Sequence, residues 1–160
     1  MIGFAASTAF TIHATPMRAD EITGIATLML RDAGPTGGRA ACARHPVVRR
    51  HLARKDGRIR DDAALVALRD ARRWPCGATV EIILPRTGRR TTAIVADRGP
   101  AGVTCAGGRK GIATREELRR DRPPDGCAWN AVVDATAAVH EALESDGYEW
   151  VRVRATWRKR

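Results

Sequence analysis

Residues 89–100 constrain the fold of this chain more than any other stretch. From Thr91 to Ala96 the run is dominated by β-branched Thr, Ile and Val, which suit a pleated, half-buried strand. Asp97, Arg98, Gly99 and Pro100 then stop it. Glycine supplies backbone freedom and proline removes a ladder donor, so the strand ends in a turn that carries a carboxylate and a guanidinium at its tip. Polar groups on a rigid turn are a common way to present function, although an Asp-Arg-Gly turn can also be plain turn chemistry. Upstream, residues 78–84 read as a partner strand and 85–88 as a hairpin turn, giving the best-determined local structure in the sequence.

The remaining elements are short. Residues 24–30 form an unbroken apolar strand, followed by turn residues over 32–38. A short helix is expected over 47–54, entered by Pro46 and closed near Gly57. Residues 63–68 are apolar and read as a strand rather than a helix end. Residues 131–134 give another short strand. An Ala-rich helix over 136–145 carries Thr136 as its cap and ends at Gly147. Residues 148–157 alternate as a last half-exposed strand, with Trp150 and Trp157 on opposite faces. Between them, residues 101–130 read as a long, Gly- and Pro-rich loop in which Thr114 and Glu117 open a short helix through a capping box. A loop of that length in a compact domain needs a function or a covalent tie, and Cys105 and Cys127 stand near its ends.

Length and charge narrow the class. A chain of 160 residues fits one domain with a core. Its 28 basic against 18 acidic residues, a formal charge of +10, favour anionic partners such as nucleic acid, acidic cell-wall polymers or a charged assembly surface. The basic residues lie in scattered pairs without aromatic interleaving or zinc-finger spacing, so nucleic acid is not favoured. Cys42, Cys76, Cys105 and Cys127 are compatible with two disulfides, with buried thiols, or with a zinc site that joins Cys42 and His45 to Cys105 and Cys127, and the sequence leaves the pairing open. Trp74 and Trp129 flank turns, where core packing and stacking on a sugar are both open. His140, on the Ala-rich helix, is expected at the surface. Residues 2–12 are mildly apolar but lack a basic flank and are too short to span a bilayer.

The order of these pieces resembles a family. Gly24 to Thr27 matches a Gly-x-Ala-Thr strand, and Pro75 to Val80 a Pro-x-Gly-Thr-x-Val turn and strand. Thr87 to Arg89 matches a hairpin leading to Asp-Arg-Gly-Pro at 97–100. Val133 to Thr136 matches a Val-Asp-Leu-Ser-like strand end, and Val151 to Val153 a closing strand. This is similar to the rare lipoprotein A-like double-psi β-barrel, related to the barrels of barwin-like proteins, expansins and some endoglucanases. The resemblance implies a mainly β fold: a six-stranded double-psi β-barrel over 24–157 with short helices and the inserted loop 101–130, behind an arm (1–23) and before a basic tail (158–160).

It further implies a shallow polysaccharide groove faced by Asp97 and Asp134 as catalytic carboxylates. Thr27, Arg98, Trp74 and Trp129 are the expected substrate contacts, and no cofactor is expected. A glycosidase-type step needs a protonated carboxyl at the leaving oxygen and negative charge near the developing cation, and adjacent carboxylates separate their pKa values to allow this. The expected partner is peptidoglycan or another cell-wall glycan, cleaved as by a lytic transglycosylase or simply bound, at an extracytoplasmic or virion-associated site. The alternative is a non-catalytic module in a larger assembly such as a phage tail, partnered by other virion or envelope proteins. The chain departs from the family where a His usually precedes the Pro-x-Gly turn, since residues 69–73 offer Arg, Asp and Ala instead, and where Ala135 replaces Leu.

Overall fold

A computed structural model describes residues 21–28, 40–52 and 58–156. The arm up to residue 20, the turn at 32–38, Gly57, Trp157 and the basic tail lie outside the described residues.

Six strands close into a barrel. In chain order they are β1 (Glu21–Leu28), β2 (Leu65–Ala67), β3 (Thr79–Leu84), β4 (Arg89–Asp97), β8 (Val133–Ala135) and β9 (Tyr148–Ala155). Around the barrel the order is β1-β8-β2-β4-β3-β9, with β9 returning to β1. The β1–β8 and β2–β4 pairs are parallel and the rest antiparallel. The fold is therefore mainly β with a closed six-stranded mixed barrel, an arrangement compatible with a double-psi barrel. The hairpin of β3 and β4 stands where the sequence put it, and β1 begins three residues before the expected boundary at Gly24.

Alternation builds the core. Val80, Ile82 and Leu84 of β3, Val95 of β4, and Val151 and Val153 of β9 face inward and join Val66, Leu68 and Val133 in the barrel interior. Each such side chain contributes roughly 1.5–3 kcal/mol through burial. Trp74 belongs to this interior at 2% exposure, which corrects the expectation of a sugar-stacking role. On the outside of β2 and β4 a second apolar cluster gathers Leu65, Ala67 and Ala96 under the segment that holds α1 (Pro46–Arg49). Cys42 lies in that cluster and is disulfide-bonded to Cys76, clamping the covering segment to the turn before β3.

The segment 101–130 is not the loop its composition suggested. It folds as a small sheet of order β6-β5-β7, with β5 at Gly102–Cys105, β6 at Lys110–Ile112 and β7 at Cys127–Trp129. Cys105 and Cys127 are register partners across β5 and β7, and they are disulfide-bonded. Between β6 and β7, α2 (Arg115–Arg120) opens with the expected capping box of Thr114 and Glu117. Strands of three or four residues escape pattern reading because they carry too few apolar positions to show a period.

Helix α3 (Ala137–Leu143) also departs from its reading. Thr136 takes the N-cap backbone position, yet its hydroxyl donates to the Ala63 carbonyl at 2.6 Å and accepts from the Leu65 amide at 3.2 Å, tying the helix start to β2. The helix stops at Glu144 in the left-handed conformation (φ 51°), before Gly147. His140 is buried rather than at the surface: its ring bonds the Ser145 hydroxyl at 2.6 Å and the Thr27 carbonyl at 3.3 Å.

Candidate functional site

Pairing across the barrel places four residues in one lateral row. Thr27 of β1 pairs with Asp134 of β8, Asp134 with Ala67 of β2, and Ala67 with Asp97 of β4. The two aspartates, far apart in sequence, thus flank a single small residue. Adjacent strands lie about 4.8 Å apart, so the two backbones are separated by about 10 Å. The register of β2 against β4 shifts between Val66 and Ala67, which brings Asp97 rather than Ala96 opposite Ala67.

The environments of the two carboxylates differ. Asp97 uses one oxygen, Oδ1, to accept the Ala41 amide at 2.7 Å and its neighbour Arg98's amide at 2.8 Å. Burial pushes its pKa up, while those two amides and the Arg98 charge pull it down. Asp134 accepts a hydrogen bond from the Thr27 hydroxyl on Oδ1. Burial pushes its pKa up to about 6, opposed by the Thr27 bond and the Arg69 charge and reinforced by the charge of Asp97. Asp134 therefore sits in the field of Asp97 and carries a proton over part of the mildly acidic range.

The turn after β4 shapes the space beside Asp134. A Cβ placed on Gly99 would lie 3.2 Å from Asp134 Oδ2 and 3.4 Å from the Ala67 Cβ, so a side chain there would crowd the carboxyl. The Gly99–Pro100 peptide is cis.

Arg98 turns away from the row. Its guanidinium donates to the carbonyls of Leu68 (3.3 Å) and Trp74 (2.7 Å) and to the Cys76 sulfur (3.2 Å). These contacts bind the Asp97 turn to the Cys42–Cys76 disulfide, while the Arg98 charge favours the ionised form of Asp97. Trp129 is half-buried, with the Arg69 guanidinium 4.3 Å over its ring, so one face of the indole is occupied by protein.

Arg69 is the residue that sequence reasoning missed, having entered only as part of a departure from the family pattern. It is 8% exposed and donates to Asp121 (2.6 Å) and to the carbonyls of Pro100 (3.3 Å) and Ala131 (2.7 Å). Pro100 and Ala131 are the two roots of the 101–130 segment, and Asp121 caps its helix, so one guanidinium holds the segment to the barrel. No local signal marks it, since its partners lie 31 to 62 positions away.

With every cysteine in a disulfide, the sulfur ligands of the zinc alternative are already committed. Among the described residues no group of three or more His, Cys, Asp or Glu side chains is arranged to hold a metal ion, and no helix is long and apolar enough to cross a membrane. Compared with known protein families, the chain matches no family model, and a search of curated proteins finds no match.

Proposed function

We propose that this chain is a double-psi barrel of the rare lipoprotein A-like kind, directed at the glycan strands of peptidoglycan and cleaving them as a lytic transglycosylase does, with Asp134 as its acid. The observation that carries this reading is the Asp134 carboxyl, raised to about 6 by burial beside a second carboxylate. The Thr27 hydroxyl fixes Oδ1 as an acceptor and leaves Oδ2, which lies against Gly99, to carry the proton.

In the proposed step, protonated Asp134 gives its proton to the glycosidic oxygen as the C–O bond breaks. The sugar's own hydroxyl closes on the anomeric carbon, and its proton passes to the Asp134 carboxylate, which restores the acid and consumes no water. Asp97 takes the lesser part. Its bonds to the Ala41 and Arg98 amides make it a clasp for the segment that covers β2 and β4, and its charge favours the protonated form of Asp134.

Incubation with purified peptidoglycan tests the reading. Release of anhydro-muropeptides by the native chain, abolished in Asp134→Asn, is the expected result. Sedimentation with cell walls without product would reduce the function to glycan binding. Neither product nor binding would leave the alternative of a non-catalytic module in a larger assembly.

A further inference from the structure

We propose that Tyr148 and Trp150 form a stacking platform for the sugar rings of the glycan, on the same outer face of the barrel as Asp134; this rests on the glycan-directed reading above. The two rings are 66% and 58% exposed. They are two positions apart on β9, so both project from one face, about 6.8 Å apart along the strand. The buried residues Val151 and Val153 fix that face as the outer one.

The register connects the platform to the carboxylates. Tyr148 pairs with Thr27, and Thr27 pairs with Asp134, so the row of the candidate site continues one strand further onto β9. Paired residues on adjacent strands share a face, and the Thr27–Asp134 hydrogen bond shows that these two do. Tyr148 therefore stands two strands from Asp134, about 10 Å along the row. Trp150 lies opposite Ile25 in the next outward position, and Arg152 opposite Thr23 beyond it. The strip runs from aromatic to aromatic to guanidinium.

A glycan is the occupant this strip fits. Pyranose rings present apolar C–H faces to aromatic rings and hydroxyls to polar neighbours, which Tyr and Trp satisfy with one apolar body and one polar edge each. The peptide and lactyl carboxylates of a cell-wall strand suit a chain of formal charge +10. A protein partner fits less well. Two rings of about 150–250 Å² each fall short of the roughly 800 Å² that each side of a stable interface buries. The other exposed large apolar residues described, Leu28, Val47 and Ile112, lie on other elements or at a strand end.

The test uses the full chain carrying Asp134→Asn, so that ligand is bound without being consumed. The probes are an N-acetylglucosamine pentamer and glycan strands freed of peptide by an amidase, with affinity read by calorimetry. Adding Tyr148→Ala or Trp150→Ala is expected to weaken binding at least about fivefold each. In the cleaving protein the same substitutions should raise KM and leave kcat unchanged. Because both side chains are exposed, an unchanged melting temperature separates lost contacts from lost fold. Undiminished affinity in both variants, with the Asp134→Asn chain binding normally, would overturn the platform and leave the glycan reading standing. No binding by any form, together with peptidoglycan left intact by the native chain, would overturn the glycan reading and the platform with it. A dimer that dissociates on Trp150→Ala would overturn it in favour of self-association.

Discussion

The Thr27 hydroxyl donates a hydrogen bond to the Asp134 carboxylate across 107 positions of sequence, joining two parallel strands of the barrel at their register pair. This bond favours the ionised form of an acid that burial otherwise pushes toward its neutral form. Replacing Thr27 by Val, which keeps the branched shape and deletes the donor, should raise the Asp134 pKa above its native value. Titration of the carboxyl carbon followed by NMR reads this directly, and an unchanged midpoint would show the bond to be without electrostatic effect.

Stability should depend on pH through Asp134. Its folded pKa of about 6 lies above the ordinary 3.8, so the folded chain binds this proton more tightly than the unfolded one. The ionised group therefore weighs against folding above pH 6, and the penalty disappears as pH falls toward 4. Asp134→Asn should accordingly raise stability by up to roughly 3 kcal/mol at pH 8 and by little at pH 4. Denaturant midpoints at the two pH values give the comparison, and equal gains at both would contradict the assigned acidity.

Asp97 should behave as a structural clasp. Asp97→Ala leaves the Ala41 and Arg98 amides without their acceptor and should cost about 1–3 kcal/mol, whereas Asp97→Asn retains a carbonyl and should cost less. Both remove a negative charge near Asp134 and should lower its pKa. A pH–rate profile displaced to lower pH in the Asn variant, with activity retained, is the expected result.

Arg69 should control the docking of residues 101–130. Arg69→Met removes the donors to Asp121, Pro100 and Ala131 together with the stack on Trp129. Limited proteolysis should then cleave within 101–130 while the barrel resists. The variant should also raise the Asp134 pKa, because the Arg69 charge helps hold that group ionised.

The two disulfides should separate in their effects. Loss of Cys42–Cys76, with 34 positions between its ends, frees the cover over β2 and β4 and should cost about 2–4 kcal/mol of global stability. Loss of Cys105–Cys127 opens only the small sheet, so amide exchange should quicken in β5 and β7 and stay slow in β3 and β4.

Local chemistry alone determined several features. The β3–β4 hairpin, the stop at Asp97 to Pro100, the capping box at Thr114 and the last strand were legible because strand alternation, turn residues and caps act over a few positions. The order of the motifs also carried the expectation of a six-stranded barrel. Tertiary structure decided everything that depends on which strands become neighbours. It buried Trp74 and His140, turned Arg98 onto Leu68, Trp74 and Cys76, and chose the partners of the four cysteines. It set Asp97 and Asp134 on either side of Ala67 and brought Tyr148 into their row. Parallel pairing joins segments distant in sequence, and a one-residue change of register moves a side chain to the opposite face. Which carboxylate is clasped by amides and which is left beside a glycine was therefore written in the barrel's register rather than in either motif.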